Sequence, residues 1–146
     1  MTFVIRPAVV RDIDTIVSLA IESVSNDPLP VKPDPRAMRE TALAMIGNRS
    51  QFVWVADEGG VVVACVGVSC SRGFWFHGWQ ASMLLFWSRR PGAGIALLRK
   101  LVEWIRERPI IKLAVIECEP KIDPRALRFL KRIGFSREST NLVYVK

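Results

Sequence analysis

Hydrophobic and polar residues follow two periods along this chain. Phe3–Ile5 is a short apolar run that ends at Pro7, which predicts a first strand. From Arg11 the apolar positions are Ile13, Ile16, Val17, Ala20, Ile21 and Val24, the spacing of one helix face. Asn26–Pro35 contains four of the nine prolines, so it suits neither a helix nor a central strand. Asp34-Pro35 then offers an N-cap and a first-turn proline for a second helix, with Met38, Ala42, Met45 and Ile46 on its apolar face. Gly47-Asn48 closes it.

The period then shortens. Phe52–Ala56 and Val61–Ser69 flank the turn Asp57-Glu58-Gly59-Gly60 and predict a hairpin. Ala81–Trp87 is a further strand, reached through the aromatic segment Gly73–Trp79. Helical spacing returns at Ile95, Leu98, Leu101, Val102 and Ile105. Ile110–Ile116 is mostly continuous and apolar, as in a strand covered on both faces. Asp123-Pro124 repeats the cap-plus-proline start for a fourth helix bearing Ala126, Leu127, Phe129, Leu130 and Ile133, with Gly134 at its end. Leu142–Val145 reads as a last strand. The order β-α-α-β-β-β-α-β-α-β describes an α/β protein with one sheet, and residues 1–146 form a single domain.

Composition excludes several classes. Half of the 146 residues are hydrophobic and 24% are charged, so the chain is not disordered. No run approaches the ~18 apolar residues of a membrane span, and Met1–Ala8 lacks the pattern of a signal peptide, so no membrane contact is expected. Cys65, Cys70 and Cys118 have no metal spacing and His77 is the single histidine, which predicts a reduced, cytoplasmic, metal-free protein. The net charge of +7 is uneven. Residues 1–88 carry seven basic and eight acidic side chains, whereas residues 89–146 carry fourteen and six. Such asymmetry suits either an anionic partner or a solvated basic surface.

Candidate chemistry concentrates between Trp87 and Arg99. A strand enters Arg89-Arg90-Pro91-Gly92-Ala93-Gly94, and this loop opens directly into a helix. Glycines two apart allow close backbone approach, and the first-turn amides of Gly94, Ile95 and Ala96 would face an anion such as a pyrophosphate. Arg89 and Arg90 can add charge-assisted bonds to it. The spacing matches neither the nucleotide P-loop nor the three-glycine dinucleotide fingerprint.

Arg89-x-x-Gly92-x-Gly94 resembles the Arg/Gln-x-x-Gly-x-Gly/Ala signature of the GCN5-related N-acetyltransferases, the GNAT superfamily. Ile5-Arg6-Pro7-Ala8, with Asp12, Ile13 and Ile16, resembles that family's first strand and helix. Asp123-Pro124-Arg125-Ala126 and Arg128–Phe135 are similar to its fourth-helix motif. The resemblance implies the GNAT fold: a mixed, mostly antiparallel sheet flanked by helices and split between its fourth and fifth strands. It also implies acetyl-CoA as co-substrate. Its pyrophosphate would lie on the amides of Ala93, Gly94, Ile95 and Ala96, near Arg89, Arg90 and Gly92, and its pantetheine arm along Leu85–Trp87. Asp123 stands where the family has an asparagine close to CoA, and Leu130 stands where it has the tyrosine that protonates the departing thiolate. Phe86-Trp87-Ser88 replaces a common Val-x-Pro.

Glu117 and Glu119 flank Cys118 at a strand end and are the candidate bases for an amine acceptor, either a small molecule or a protein. Lys121, Arg125, Arg128 and Arg132 recur at helical spacing with Lys131 alongside, a stripe best read as a solvated face. Contact with the CoA 3′-phosphate comes second, and nucleic acid third, because no aromatic residues alternate with these charges. Phe74–Trp79 is rich enough in aromatics to predict a homodimer or partner contact, or a pocket for an apolar acceptor. The leading expectation is an acyl-CoA-dependent N-acyltransferase acting by direct amine attack. The alternative is a catalytically weak or inactive GNAT-fold binding protein, such as a phage virion component that contacts DNA or protein. Some tailed-phage proteins resemble diverged acetyltransferases, and Arg128-Phe129-Leu130-Lys131 with Ile133-Gly134 is similar to their sequence.

Overall fold

A computed structural model describes residues 2–146. The chain forms β1 (Val4–Pro7), α1 (Ile13–Asn26), α2 (Pro35–Met45), β2 (Gln51–Glu58), β3 (Val61–Arg72), β4 (Trp79–Ser88), α3 (Pro91–Arg106), β5 (Ile111–Val115) and α4 (Pro124–Ile133). A single 3₁₀ turn, Val10–Asp12, leads into α1. The five strands lie side by side in chain order. The first four are antiparallel, and β5 joins β4 in parallel after the α3 crossover. Among the described residues no helix is long and apolar enough to cross a membrane.

Local chemistry explains most element ends. Asp34 accepts hydrogen bonds from the amides of Arg36 (3.0 Å) and Ala37 (3.3 Å) and so starts α2. Asp123 accepts one from Arg125 (2.8 Å) at the start of α4. Glu58 pairs directly with Val61, leaving Gly59-Gly60 as a two-residue hairpin loop. Both glycines have positive φ, 62° and 94°, which a residue with a Cβ adopts at a cost.

Both faces of the sheet are covered. Ile13, Ile16 and Leu19 of α1 and Met45 of α2 pack with Val53, Val55 and Cys65 on one side. Ala93, Leu97 and Leu101 of α3 pack with Ala56, Val66 and Val68 on the other. Burial from both sides accounts for the nearly unbroken apolar run in β3. Trp54 and Trp104 meet edge to face at 5.9 Å, both against Phe52, and pack on the edge of this second cluster.

Three expectations need correction. β4 begins at Trp79, inside the aromatic segment, rather than at Ala81. The third helix begins at Pro91, so the two signature glycines lie within it rather than in a preceding loop. No strand forms at Leu142–Val145, and residues 135–146 carry no regular structure. Phe135 N–H closes on the Leu130 carbonyl at 3.0 Å, and Lys131 pairs with Glu138 at 3.0 Å. The tail therefore leaves along the end of α4 without pairing to a strand edge. The sheet has five strands where the sequence pattern suggests six.

Candidate active site

β4 and β5 pair only from Trp79 to Ser82, opposite Ile111 to Val115, and then part. Beyond that point β4 still bonds to β3 on one side, but its other edge, Met83–Ser88, is bare. A bulge sharpens the divergence. Gly67 pairs with Leu85 and Val68 with Met83, so Leu84 has no partner and the strand turns there. Neither the bulge nor its position was visible in the sequence, because it is an offset between two strands.

The parting strands open a cleft of about 1220 Å³. Met83–Ser88 form one wall, and Ile116–Glu119 beyond β5 form another. α1, α2 and α4 enclose the rest, together with Leu29 and Val31–Asp34 of the proline-rich segment. Leu85 and Trp87 both line it. Its charged lining consists of Asp27, Asp34, Glu117, Glu119 and Asp123 against Lys32 and Lys121. The cleft is thus acidic in a basic protein.

Glu117 and Glu119 are exposed, and neither side chain has a hydrogen bond or ion pair among the described residues. β5 ends at Val115, so the alternation that would turn Cys118 away from them does not apply, and all three residues face the cleft. Partial desolvation holds the Cys118 thiol above its ordinary pKa, which disfavours a reactive thiolate. Cys65 is buried in the core with its thiol pushed up to about 12. Leu130 is buried in the cleft wall, whereas Tyr144 lies exposed in the tail. Among the described residues no tyrosine lines the cleft, and no group of three or more His, Cys, Asp or Glu side chains is placed to hold a metal.

The start of α3 differs in detail from the expected anion site. Ala93 and Gly94 N–H donate to the Arg90 carbonyl at 3.0 and 3.3 Å. Ile95 and Ala96 lie inside the helix, and Pro91 has no N–H. Arg90 N–H donates to Ser88 Oγ at 3.2 Å. Within this turn, the Gly92 amide alone lacks a partner among the described residues. Gly94 is buried against the end of β4, where a Cβ would come within 3.0 Å of Ser88 Cβ and 3.1 Å of Phe86 Cζ. A side chain at Gly94 would therefore collide with the strand.

The two arginines that precede this turn are also engaged. Arg89 donates from Nε and Nη2 to Glu22 of α1 at 2.9 and 2.6 Å. Trp87 Nε1–H donates to the same carboxylate at 2.9 Å. Arg90 Nε lies 3.7 Å from Glu58 Oε2, a buried oxygen without a hydrogen bond. Sequence reasoning missed Glu22 because it lies 67 positions from Arg89 and carries no motif.

The Arg89 guanidinium and the Trp87 indole together hold the Glu22 carboxyl below the usual carboxylate range. A depressed carboxylate stabilises the fold while ionised, and that stabilisation is lost as pH falls through its folded pKa. Thermal melts from pH 7 to pH 3 should therefore fall more steeply for the wild type than for Glu22→Gln. Equal slopes would assign the acid sensitivity to other groups.

Phe74 and Trp75 stack edge to face at 4.8 Å and are 87% and 88% exposed. They do not line the cleft, so the expected apolar acceptor pocket at Phe74–Trp79 is not there. The reason is position: this hairpin tip joins β3 to the start of β4, and the cleft opens at that strand's other end. His77 borders only a small hollow of about 270 Å³ at the tip.

The sequence profile of the acetyltransferase (GNAT) family matches residues 19–135. No curated protein matches the chain. Solved structures agree on the fold. A possible acetyltransferase from Clostridium difficile 630 superposes with a TM-score of 0.81 at 16% identity, covering 100% of this chain and 98% of its own. A predicted acetyltransferase from Clostridium acetobutylicum, solved with acetyl-CoA, gives 0.75 at 16% identity, with 99% and 96% covered. An aminoglycoside acetyltransferase from an uncultured soil metagenomic sample, in complex with sisomicin, gives 0.69 at 15% identity, with 99% and 95% covered.

Proposed function

Because the chain belongs to the acetyltransferase (GNAT) family, we propose that it moves an acetyl group from acetyl-CoA to an amine bound in the cleft, by direct attack. The observation that carries this reading is the bare edge of Met83–Ser88 ending at the N-terminus of α3. An extended pantetheine arm carries amide groups that can pair with such an edge as a strand would. The positive end of α3, where the Gly92 amide has no partner among the described residues, suits the pyrophosphate. Arg89 remains on Glu22 and supports the end of β4 instead of reaching phosphate.

The amine lone pair attacks the thioester carbonyl carbon, the C–S bond breaks, and the thiolate leaves. The nitrogen loses its proton to Glu117 or Glu119, directly or through water. Both line the cleft wall, with no hydrogen bond or ion pair among the described residues. Leu130 cannot donate a proton, so solvent protonates the thiolate. The acidic lining favours binding of a cationic amine, which first gives one proton to water so that its lone pair is free to attack.

Calorimetric titration with acetyl-CoA, followed by acetyl-CoA consumption against polyamines, amino acids, aminoglycosides and peptide N-termini, tests the reading. Micromolar binding and turnover with one amine class are expected. Glu117→Gln or Glu119→Gln should then lower kcat by about 10²-fold with CoA affinity unchanged. Absence of CoA binding overturns the reading. Binding with no turnover across the panel favours the binding-protein alternative.

A further inference from the structure

The β3–β4 hairpin tip is built to hold aromatic rings in solvent. Gly73 N–H donates to the Gly78 carbonyl at 2.9 Å and closes the loop between them. Phe76 folds back over Gly73, where a Cβ would come within 2.5 Å of its ring. Gly78, with a φ of 144°, sits so close to the Ile110 carbonyl and the Lys112 side chain that a Cβ would lie 2.8 Å from each. With Phe76 turned back, Phe74 and Trp75 remain at the end, exposed and stacked on each other. Trp75 alone among the five tryptophans is exposed.

The ground around the tip is cationic. Residues 59–102, which include β3, β4 and most of α3, contain no Asp or Glu, so no carboxylate of this hairpin offsets Arg72. Arg72 borders the hollow under the tip together with His77 and the exposed Ile110. Lys112 is exposed beside Gly78. Aromatic rings settle at the boundary between lipid headgroups and acyl chains, and neighbouring cations are drawn to anionic headgroups.

We propose that this tip is a peripheral membrane anchor. Phe74 and Trp75 enter the headgroup boundary of an anionic bilayer while Arg72 and Lys112 lie over its phosphates. Such a contact needs no spanning helix, and so departs from an expectation that rested on the lack of a span and a signal peptide. Two arguments set a bilayer above other occupants. A second copy meeting tip to tip would gain two rings from each partner, about 300–500 Å², where a stable interface takes about 800 Å² a side. It would also press Arg72 and Lys112 against their own copies. A nucleic-acid strand takes a basic groove with open ring faces for its bases, whereas this is a protrusion whose two rings close edge to face. The tip and the cleft lie at opposite ends of β4, so acyl transfer can fail without bearing on the anchor.

Co-sedimentation with vesicles of equal parts phosphatidylcholine and phosphatidylglycerol, against vesicles of phosphatidylcholine alone, tests it. The chain is expected to bind the anionic vesicles about tenfold more tightly than the neutral ones, and less so as salt rises. Phe74→Ser combined with Trp75→Ser should lower that affinity about tenfold or more, with an unchanged circular dichroism spectrum. Arg72→Glu should weaken binding to the anionic vesicles and leave the neutral ones unaffected. Brominated lipid should quench the tryptophan fluorescence of the wild type more than that of Trp75→Ser. No binding to anionic vesicles overturns the proposal. So does equal binding by the double variant, which would leave a basic surface acting without the rings. A lipid-free dimer that the double variant dissolves, or tip-dependent binding of single-stranded DNA without vesicle binding, also overturns it.

Discussion

Replacing Arg6 with alanine should cost about 3 kcal/mol of stability, close to the lower end of what breaking a buried ion pair costs. Arg6 sits between two carboxylates. It donates to Asp12 at 2.8 and 3.1 Å and to Asp57 at 3.2 Å, linking β1 to the entry of α1 and to the β2–β3 hairpin. Asp12 is 5% exposed and also accepts the Val9 amide at 2.8 Å. Hydrogen bonds from Arg6 hold its carboxyl below the ordinary range and raise the arginine in turn. Removal of the guanidinium leaves a buried carboxylate facing a second one. Arg6 keeps part of its side chain in water, which places the effect at the lower end. Urea unfolding at pH 7 measures it, and Arg6→Met combined with Asp12→Asn should recover much of the loss. The sign with pH is fixed. In the wild type the stabilisation from Asp12 is present above its ordinary pKa and is lost as pH falls through the depressed one. In Arg6→Ala the unpaired Asp12 gains stability on protonation, so the gap between the two proteins must narrow in acid.

Acetyl-CoA affinity should drop at least a hundredfold in Gly94→Leu, about 2.7 kcal/mol. A Cβ at this position already crowds Ser88 and Phe86, and a leucine needs far more room. The helix start must move away from β4, taking with it the Ser88–Arg90 turn and the Gly92 amide. Overpacking of this kind costs about 1–3 kcal/mol, so binding is measured well below the melting temperature with folding checked by circular dichroism. Gly92→Ala is the contrast. Its Cβ would meet the Phe3 ring at 3.2 Å on an exposed flank, and a much smaller loss is expected. Wild-type affinity in Gly94→Leu would show that the α3 N-terminus is not the anchor.

The pattern of success and failure in the sequence reading follows the range of the interactions. Both aspartate-proline starts were legible because a cap and its amides lie within three residues. The central strand was legible because burial on both faces leaves an unbroken apolar run. The start of α3 was misplaced because glycine usually marks a loop. Here Pro91 opens the helix, and Gly94 is small because β4 lies against it. The partners of Arg89 and Arg90 could not be read, since a signature shows which residues occur but not which distant carboxylate reaches them first. Leu142–Val145 failed for the same reason. Strand propensity is local, but a strand exists only where an edge receives it.

The order of the strands bears on how the molecule is built over time. Because β1 to β5 lie in the sheet as they occur in the chain, each strand can join its immediate predecessor as it leaves the ribosome. The first four assemble by antiparallel neighbours, and β2 to β3 and β3 to β4 need only hairpin closures. β5 must wait for the α3 crossover, and α4 follows it. The nascent sheet therefore stands, with α1 and α2 packed against it, before the cleft has its second wall. A released chain ending at Arg108 should form a protease-resistant four-stranded body that has nowhere to hold a substrate.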